Sequence, residues 1–302
     1  MKMAPPCRSC ILKQAQTTAR ITGADDALIT RIQVLSREIL DAAPEGVTAP
    51  EVAADIYAMI ADLSGNRDPY LSRKRKSTEE ALSIFSRIRD MVLSSADPLR
   101  SSLLAAAAGN VIDFGVPSLA GSPRAVLDEF GDLRFFHDDF DSLSDELASA
   151  RSILYLADNA GELVFDRLLL DYMTEHLTAR VTLAVRGGPI INDVTRKDAL
   201  MSMIDDRIGL IDTGSAVPGA LLSRASDEFL KVFHESDVVI SKGQGNFEVL
   251  EGVDHTIYFI LKAKCDVISR YLGVPKGSLL LLKNRSDFGS VSLSESRDAL
   301  SR

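Results

Sequence analysis

The chain has 302 residues, 46% of them hydrophobic and 25% charged, with a formal net charge of −9. That length accommodates one large or two ordinary domains, and the acidic balance excludes an overall basic face of the kind nonspecific nucleic-acid binding needs. No apolar run approaches the ~20 residues of a membrane span, and three cysteines are too few for a disulfide framework. The segment Met1–Cys7 lacks the apolar centre of a secretory signal, so the expected location is the cytoplasm, with neither a nucleic acid nor a membrane as partner.

In chain order, the first rhythm is helical. Ile29, Ile32, Val34, Leu35, Ile39 and Leu40 recur at three- and four-residue spacings. Thr48-Ala-Pro-Glu51 has the spacing of a capping box, with proline inside the first turn, and opens a helix through Ile60. Arg73-Lys-Arg-Lys76 is followed at once by Glu79 and Glu80, which predicts a solvated helix start rather than a phosphate-backbone site. A further helix carries Ala81, Ile84, Phe85, Ile88 and Val92, and Asp97-Pro98 starts the next, through Ala108. The expected division is a helical N-terminal domain over residues 1–145 and an α/β domain over residues 146–302.

After about residue 150 short apolar runs take over: 153–157, 181–185, 208–211, 238–240, 257–261 and 279–282. Helical patterns separate most of them. Continuous apolar runs suit strands covered on both faces, which predicts a Rossmann-like, mainly parallel sheet with helices on both sides.

Ligands of such sheets bind beyond the carboxyl ends of the strands. The polar residues that follow the runs are therefore the candidates. Asp158, Asn159, Gly161 and Glu162 follow the first run, and Arg186 through Asp193 the second. Ser241-Lys-Gly-Gln-Gly-Asn246 follows the fourth, and Lys262, Lys264 and Asp266 the fifth. Oxygen ligands from Asp158, Asn159 and Asp193 suit a hard divalent ion. Glycines at 243 and 245 would let backbone N–H groups converge on an anion. Taken singly, the Asp158 and Lys242 segments fit a helix cap and a glycine-requiring loop equally well. Together on one rim, they describe a metal beside an anion cradle, as phosphate-ester chemistry requires.

Five motifs in order carry a resemblance. Asp158-Asn-Ala-Gly-Glu162 with Phe165-Asp166, Asn192-Asp-Val-Thr195, Ser241 through Glu248, and Leu261-Lys-Ala-Lys-Cys265 resemble the damage-control phosphatase family. Asp68-Pro-Tyr70 and Gly109-Asn-Val-Ile-Asp113 extend the likeness into the helical half. The family's fold is the ARMT1-like metal-binding fold, and the early cysteine pair is similar to its stand-alone prokaryotic branch. The resemblance implies a metal-dependent phosphatase of small phosphorylated metabolites, using one divalent cation (Mg2+, Mn2+, Co2+ or Ni2+). It implies metal ligation by Asp158, Asn159 and Asp193, which with Lys242 form the expected catalytic set. It further implies substrate contacts from Glu162, Lys242, Gly243, Gln244, Gly245, Asn246 and Lys264, the two lysines on the substrate's phosphate, and a cleft-facing Asn110 or Asp113. The sugar-phosphate branch has Arg-Thr-x-Lys where this chain has Leu261-Lys-Ala-Lys264, so a hexose phosphate is not carried over. Either an activated water or Asp158 itself would attack phosphorus.

Two rival readings use the same rim. An S-adenosylmethionine-dependent methyltransferase fits the rhythm, yet the loop after the first strand run has one glycine where nucleotide loops have two or three. A noncatalytic phosphometabolite-binding module would use the anion cradle alone. Cys7 and Cys10 stand apart, open to an inert, redox or zinc-binding role.

Overall fold

The computed structural model of the chain describes residues 1–109, 127–285 and 288. Its first part consists of α1 (Pro5–Ile21), α2 (Asp26–Ala42), α3 (Ala49–Ser64), α4 (Leu71–Leu93) and α5 (Pro98–Gly109). Helix α3 begins with the expected capping box: the Glu51 amide donates to Thr48 Oγ1 (3.3 Å) and the Thr48 amide to Glu51 Oε2 (2.9 Å). It stops at Gly65, whose left-handed φ of 68° closes the helix without a Cβ penalty. Helices α1–α3 bury Ile11, Ala19, Ile32, Leu40, Ile56 and Ile60 together. Ile190, from the second half of the chain, completes that cluster. The helical part is thus seated on the loop that carries the candidate site.

Beyond it lies a seven-stranded sheet among the described residues. Its strands are β1 (His137–Asp138), β2 (Ser152–Leu156), β3 (Arg180–Val185), β4 (Gly209–Asp212), β5 (Val238–Lys242), β6 (Ile257–Lys262) and β7 (Leu279–Lys283). The order is β1-β7-β6-β5-β2-β3-β4, parallel throughout except for the β6–β7 pair. Flanking helices are α6 (Phe140–Ser149), α7 (Leu163–His176), α8 (Arg196–Met201), α9 (Asp227–Glu235), α10 (Gly243–Leu250) and α11 (Asp266–Leu272). The expected mainly parallel α/β architecture is the one this chain adopts. Strand β2 shows why its run is continuously apolar: Ile153 and Tyr155 face one core, Leu154 and Leu156 the other. Among the described residues, no helix is long and apolar enough to cross a membrane.

Three local features depart from the expectations. The sheet already includes His137–Asp138, on the N-terminal side of residue 145, where no strand pattern stands out because the strand is only two residues long. The segment after β5 is not a loop: α10 starts at Gly243 itself. Within the basic run, Lys74 is buried, with its Nζ 2.8 Å from Asp198 and 3.0 Å from Asp68, so that helix start is solvated on one side only.

Candidate active site

From β2 the chain winds outward to β3 and β4, then returns to the other side of β2 as β5 and β6. The reversal lies between β2 and β5, and a crevice opens there at the carboxyl ends of the strands. Asp158 and Asn159 sit at its edge. The loop after β3 doubles back on them: the Val194 amide donates to the Asp158 carbonyl (2.8 Å), the Ala160 amide to the Asn192 carbonyl (3.0 Å), and Asn159 and Asp193 form an antiparallel bridge. Backbone pairing, beyond the strand end itself, brings Asp193 to Asp158. Asn159 Nδ2 then donates to Asp158 Oδ2 (3.1 Å) and Glu162 Oε1 (2.7 Å). From the β5 side, Gly243 approaches so closely that a Cβ there would lie 2.0 Å from Asp158 Oδ2. Its φ of +80° independently favours glycine.

Four acids, Asp158, Glu162, Asp166 and Asp193, are buried in this region against the buried cations Arg186 and Lys242. Arg186 Nε donates to Asp193 Oδ2 (2.7 Å), and its NH2 lies 3.8 Å from Asp158 Oδ1. Lys242 Nζ donates to Asp166 Oδ1 (2.5 Å) and stands 3.5 Å from Glu162 Oε2. Glu162 Oε2 and Asp166 Oδ2 have no hydrogen-bond donor. Burial, then Glu162 and Asp193, pushes the Asp158 carboxyl well above the usual carboxylate range. Burial likewise raises Asp193 against the pull of Arg186, and raises Asp166 to about 6 against the pull of Lys242. The cluster is short of positive charge.

Two of these acids, Asp158 and Asp193, open into a cavity of about 550 Å³. Asp158, Asn159 and Asp193 line it, with Gln244, Gly245 and Lys264 on the sheet side and Cys7, Ile11 and Ala53 from α1 and α3 opposite. Lys264 is exposed, and its charge favours the ionised form of Asp158. A second cavity of about 360 Å³ is lined by Tyr57, Asp68 and Tyr70. Ile191 lines both, with an unusual φ of +42° for a β-branched residue.

Asp158, Asn159, Asp193 and Glu162 are brought together. Gln244, Gly245 and Lys264 face the same cavity. Lys242 and Asn246 are not on its surface, because both side chains are fully buried and committed elsewhere. Asn246 Oδ1 accepts from the Ala220 amide (2.8 Å), while its Nδ2 donates to the carbonyls of Lys242 (2.7 Å) and Ala157 (3.2 Å). Asn110 and Asp113 lie outside the described residues. Arg186, Asp166 and Lys74 were not assigned roles from sequence; a lone arginine directly after a strand run, ahead of Gly187-Gly188, was the available signal for the first. Among the described residues no three His, Cys, Asp or Glu side chains form a ready metal-ligand set. The expected trio includes an amide, and Asn159 turns Nδ2 rather than Oδ1 toward the acids.

Residues 3–280 match the model of the damage-control phosphatase ARMT1-like domain. The chain belongs to this family. Among curated proteins, the family member is 34% identical over 291 residues to the damage-control phosphatase PH1575 of Pyrococcus horikoshii, covering 94% of this chain and 99% of that one. It is 31% identical over 290 residues to a damage-control phosphatase of Archaeoglobus fulgidus, covering 93% and 98%. The crystal structure of the Pyrococcus horikoshii protein, a DUF89 family member, superposes with a TM-score of 0.85 at 33% identity, over 94% of this chain and all of that one. The match begins before α1, so the helical wall of the cavity falls within the family domain.

Proposed function

We propose that this damage-control phosphatase family member is a divalent-metal-dependent phosphomonoesterase acting on small phosphorylated metabolites. The carrying observation is the buried acid cluster at the strand switch point, four carboxyls against Arg186 and Lys242, in which Asp158 and Asp193 are pushed up by burial and by neighbouring acids. That donor set fits a hard cation, held by Asp158, Asp193 and, once its amide turns over, Asn159 Oδ1. When bound, the cation (Mg2+, Mn2+, Co2+ or Ni2+) would neutralise charge on the phosphate as the ester breaks.

The chain's own residues supply the rest. Arg186 fixes one Asp193 oxygen and compensates Asp158. Gly243, without a side chain, leaves Asp158 unobstructed. The first turn of α10, with Gly243, Gln244 and Gly245, presents amides without intrahelical acceptors toward the phosphate. Lys264 meets the dianion at the exposed rim. Lys242 acts from beneath: it holds Asp166 and Glu162, and Glu162 in turn holds Asn159. Asn246 ties the ends of β2 and β5 to the Ala220 segment, so it positions rather than touches substrate. Asn110 and Asp113 are proposed to reach the cleft from the helical side. Residues 1–145 and 146–302 are proposed as the two domains that meet across the cavity. Three free cysteines fit a reducing compartment, the cytoplasm.

The test is phosphate release from p-nitrophenyl phosphate with and without added divalent metal. Metal-stimulated release that disappears in Asp193→Ala is expected. Release that survives chelation unchanged would rule out the metal, and no release with any cation would favour a binding module or methyl transfer.

A further inference from the structure

The three cysteines of this chain are Cys7, Cys10 and Cys265, and all three line the cavity that holds Asp158 and Asp193. None is in a disulfide. Cys7 and Cys10 lie in the opening turns of α1, on the helical wall, while Cys265 directly precedes α11 on the sheet side, where Gln244 Nε2 approaches its Sγ to 3.7 Å. The thiols are near enough to influence one another's ionisation. Phosphate-ester hydrolysis as described above uses none of them.

We propose that Cys7 and Cys10 form a dithiol site in the cavity wall that reacts with low-molecular-mass disulfides, closing a Cys7–Cys10 bond that reshapes the wall opposite Asp158. Residues three apart on a helix have Cβ atoms about 5–6 Å apart, and a disulfide needs about 3.5–4.5 Å. The required closure is small, and it falls where a helix yields most easily. The first-turn amides have no intrahelical acceptors, and the Cys7 amide makes only a tight bond to the Ala4 carbonyl (2.9 Å). Helix α1 therefore tightens locally without losing its body. Cys265, on the other wall, is not needed for the bond.

The chemistry balances without a further reagent. One cysteine thiolate attacks the small disulfide, forms a mixed disulfide and expels one small thiolate, which takes up the proton that the cysteine lost. The second cysteine thiolate then attacks the protein-bound sulfur and expels the second small thiolate, which takes up the proton that the second cysteine lost. Two protein thiols are oxidised, and one disulfide is reduced to two thiols. Partial desolvation in the cavity wall first, then Glu248 and the neighbouring thiols, pushes half-buried Cys7 and exposed Cys10 above the usual thiol range, so the reaction is slow at neutral pH and quickens as pH rises.

Trypsin reads this bond directly, because Arg8 lies between the two cysteines and separates Met3–Arg8 from Ser9–Lys13. The whole protein is incubated with oxidised glutathione at pH 7 and pH 9, alkylated, digested and weighed. The two peptides are expected to be joined, faster at pH 9, in the wild type and in Cys265→Ser, and separate in Cys7→Ser. Peptides that stay apart in the wild type, or that carry glutathione or Cys265 instead of each other, would overturn the proposal. The joined protein is also expected to turn over p-nitrophenyl phosphate at least 10-fold more slowly until dithiothreitol is added. Full turnover in the joined form would overturn the coupling to the cavity. The linkage is read by mass, so a protein with no phosphatase activity would sink the reading of the preceding subsection and leave this site standing.

Discussion

Asp158 and Asp193 are held side by side by the backbone, through the Val194 amide on the Asp158 carbonyl, and their mutual repulsion is only partly relieved by Arg186. A cation bound between them would complete that relief. Added Mn2+ is therefore expected to raise the melting temperature of the wild type but not of Asp193→Ala. An undiminished rise in the mutant would remove Asp193 from the ligand set. The pH dependence has a definite sign. Both carboxyls are pushed up, so protons compete with the cation at a pH above the usual carboxylate range. The metal-induced rise should shrink as pH falls from 7.5 to 5; a constant rise would contradict the cluster's electrostatics. Lys242 belongs to the same scale. An exposed lysine on a phosphate could be removed at ~0–1 kcal/mol. Lys242 is fully buried against Asp166 and Glu162, so Lys242→Met should lose on the order of 3–5 kcal/mol. Urea unfolding measures this, and Lys242→Met combined with Asp166→Asn should recover part of the loss.

At the scale of elements, the start of α10 is the most constrained turn at the site. Gly243→Ala places a Cβ 2.0 Å from Asp158 Oδ2 at a φ of +80°, whereas Gly252 has a similar φ of +76° with nothing within 4 Å. Gly252→Ala should cost only the ~1–2 kcal/mol of left-handed backbone strain. Gly243→Ala should cost more and abolish metal-stimulated turnover; equal effects would mean that the close approach to Asp158 is not what glycine serves there. The sequence foretold β2, β3 and β5 because both faces of each are buried, which writes itself as an uninterrupted apolar run. It foretold α3 because a capping box is local. For the beginning of α10 the glycines at 243 and 245 left a glycine-requiring loop and an anion cradle equally open, and the segment is the first turn of a helix. What holds the turn is tertiary: Asn246 bonding Ala220 and Ala157, partners that no local pattern names. Asp158, Asn159 and Asp193 were legible as polar side chains that follow strand runs, and they line one cavity. Arg186 was not, since its partner Asp193 meets it only after the intervening loop folds back. The rim placement of Lys242 failed for a related reason, because its position at a strand end says nothing about which way a long side chain turns.

At the scale of the whole molecule, one charge that sequence made look solvated links the helical part to the candidate site. Lys74 on α4 is 1% exposed and reaches Asp198 on α8, itself 3% exposed, at 2.8 Å. Asp198 Oδ2 also accepts from the Thr195 amide (3.0 Å) and hydroxyl (2.7 Å). Thr195 stands two residues beyond Asp193, so one carboxylate links the helical part, the cap of α8 and the candidate ligand loop. Lys74→Met would keep most of the side-chain volume and leave Asp198 buried with no ammonium at 2.8 Å. Breaking one partner from such a pair costs about 3–5 kcal/mol, much of it the stranded charge. Lys76, two residues on, is exposed and only loosely paired with Glu80 at 3.7 Å, so Lys76→Met should cost at most ~0.5 kcal/mol. Comparing urea midpoints of the two variants isolates the bridge from the general effect of removing a lysine. The metal-induced rise in melting temperature should also shrink in Lys74→Met and stay intact in Lys76→Met, because only Lys74 restrains the loop that bears Asp193. Equal midpoints and equal metal responses would mean that the Lys74–Asp198 pair adds nothing to the apolar packing of α4 and α5 on α7, where Ala81, Ile88, Ala105 and Ala108 meet Val164, Phe165 and Leu168.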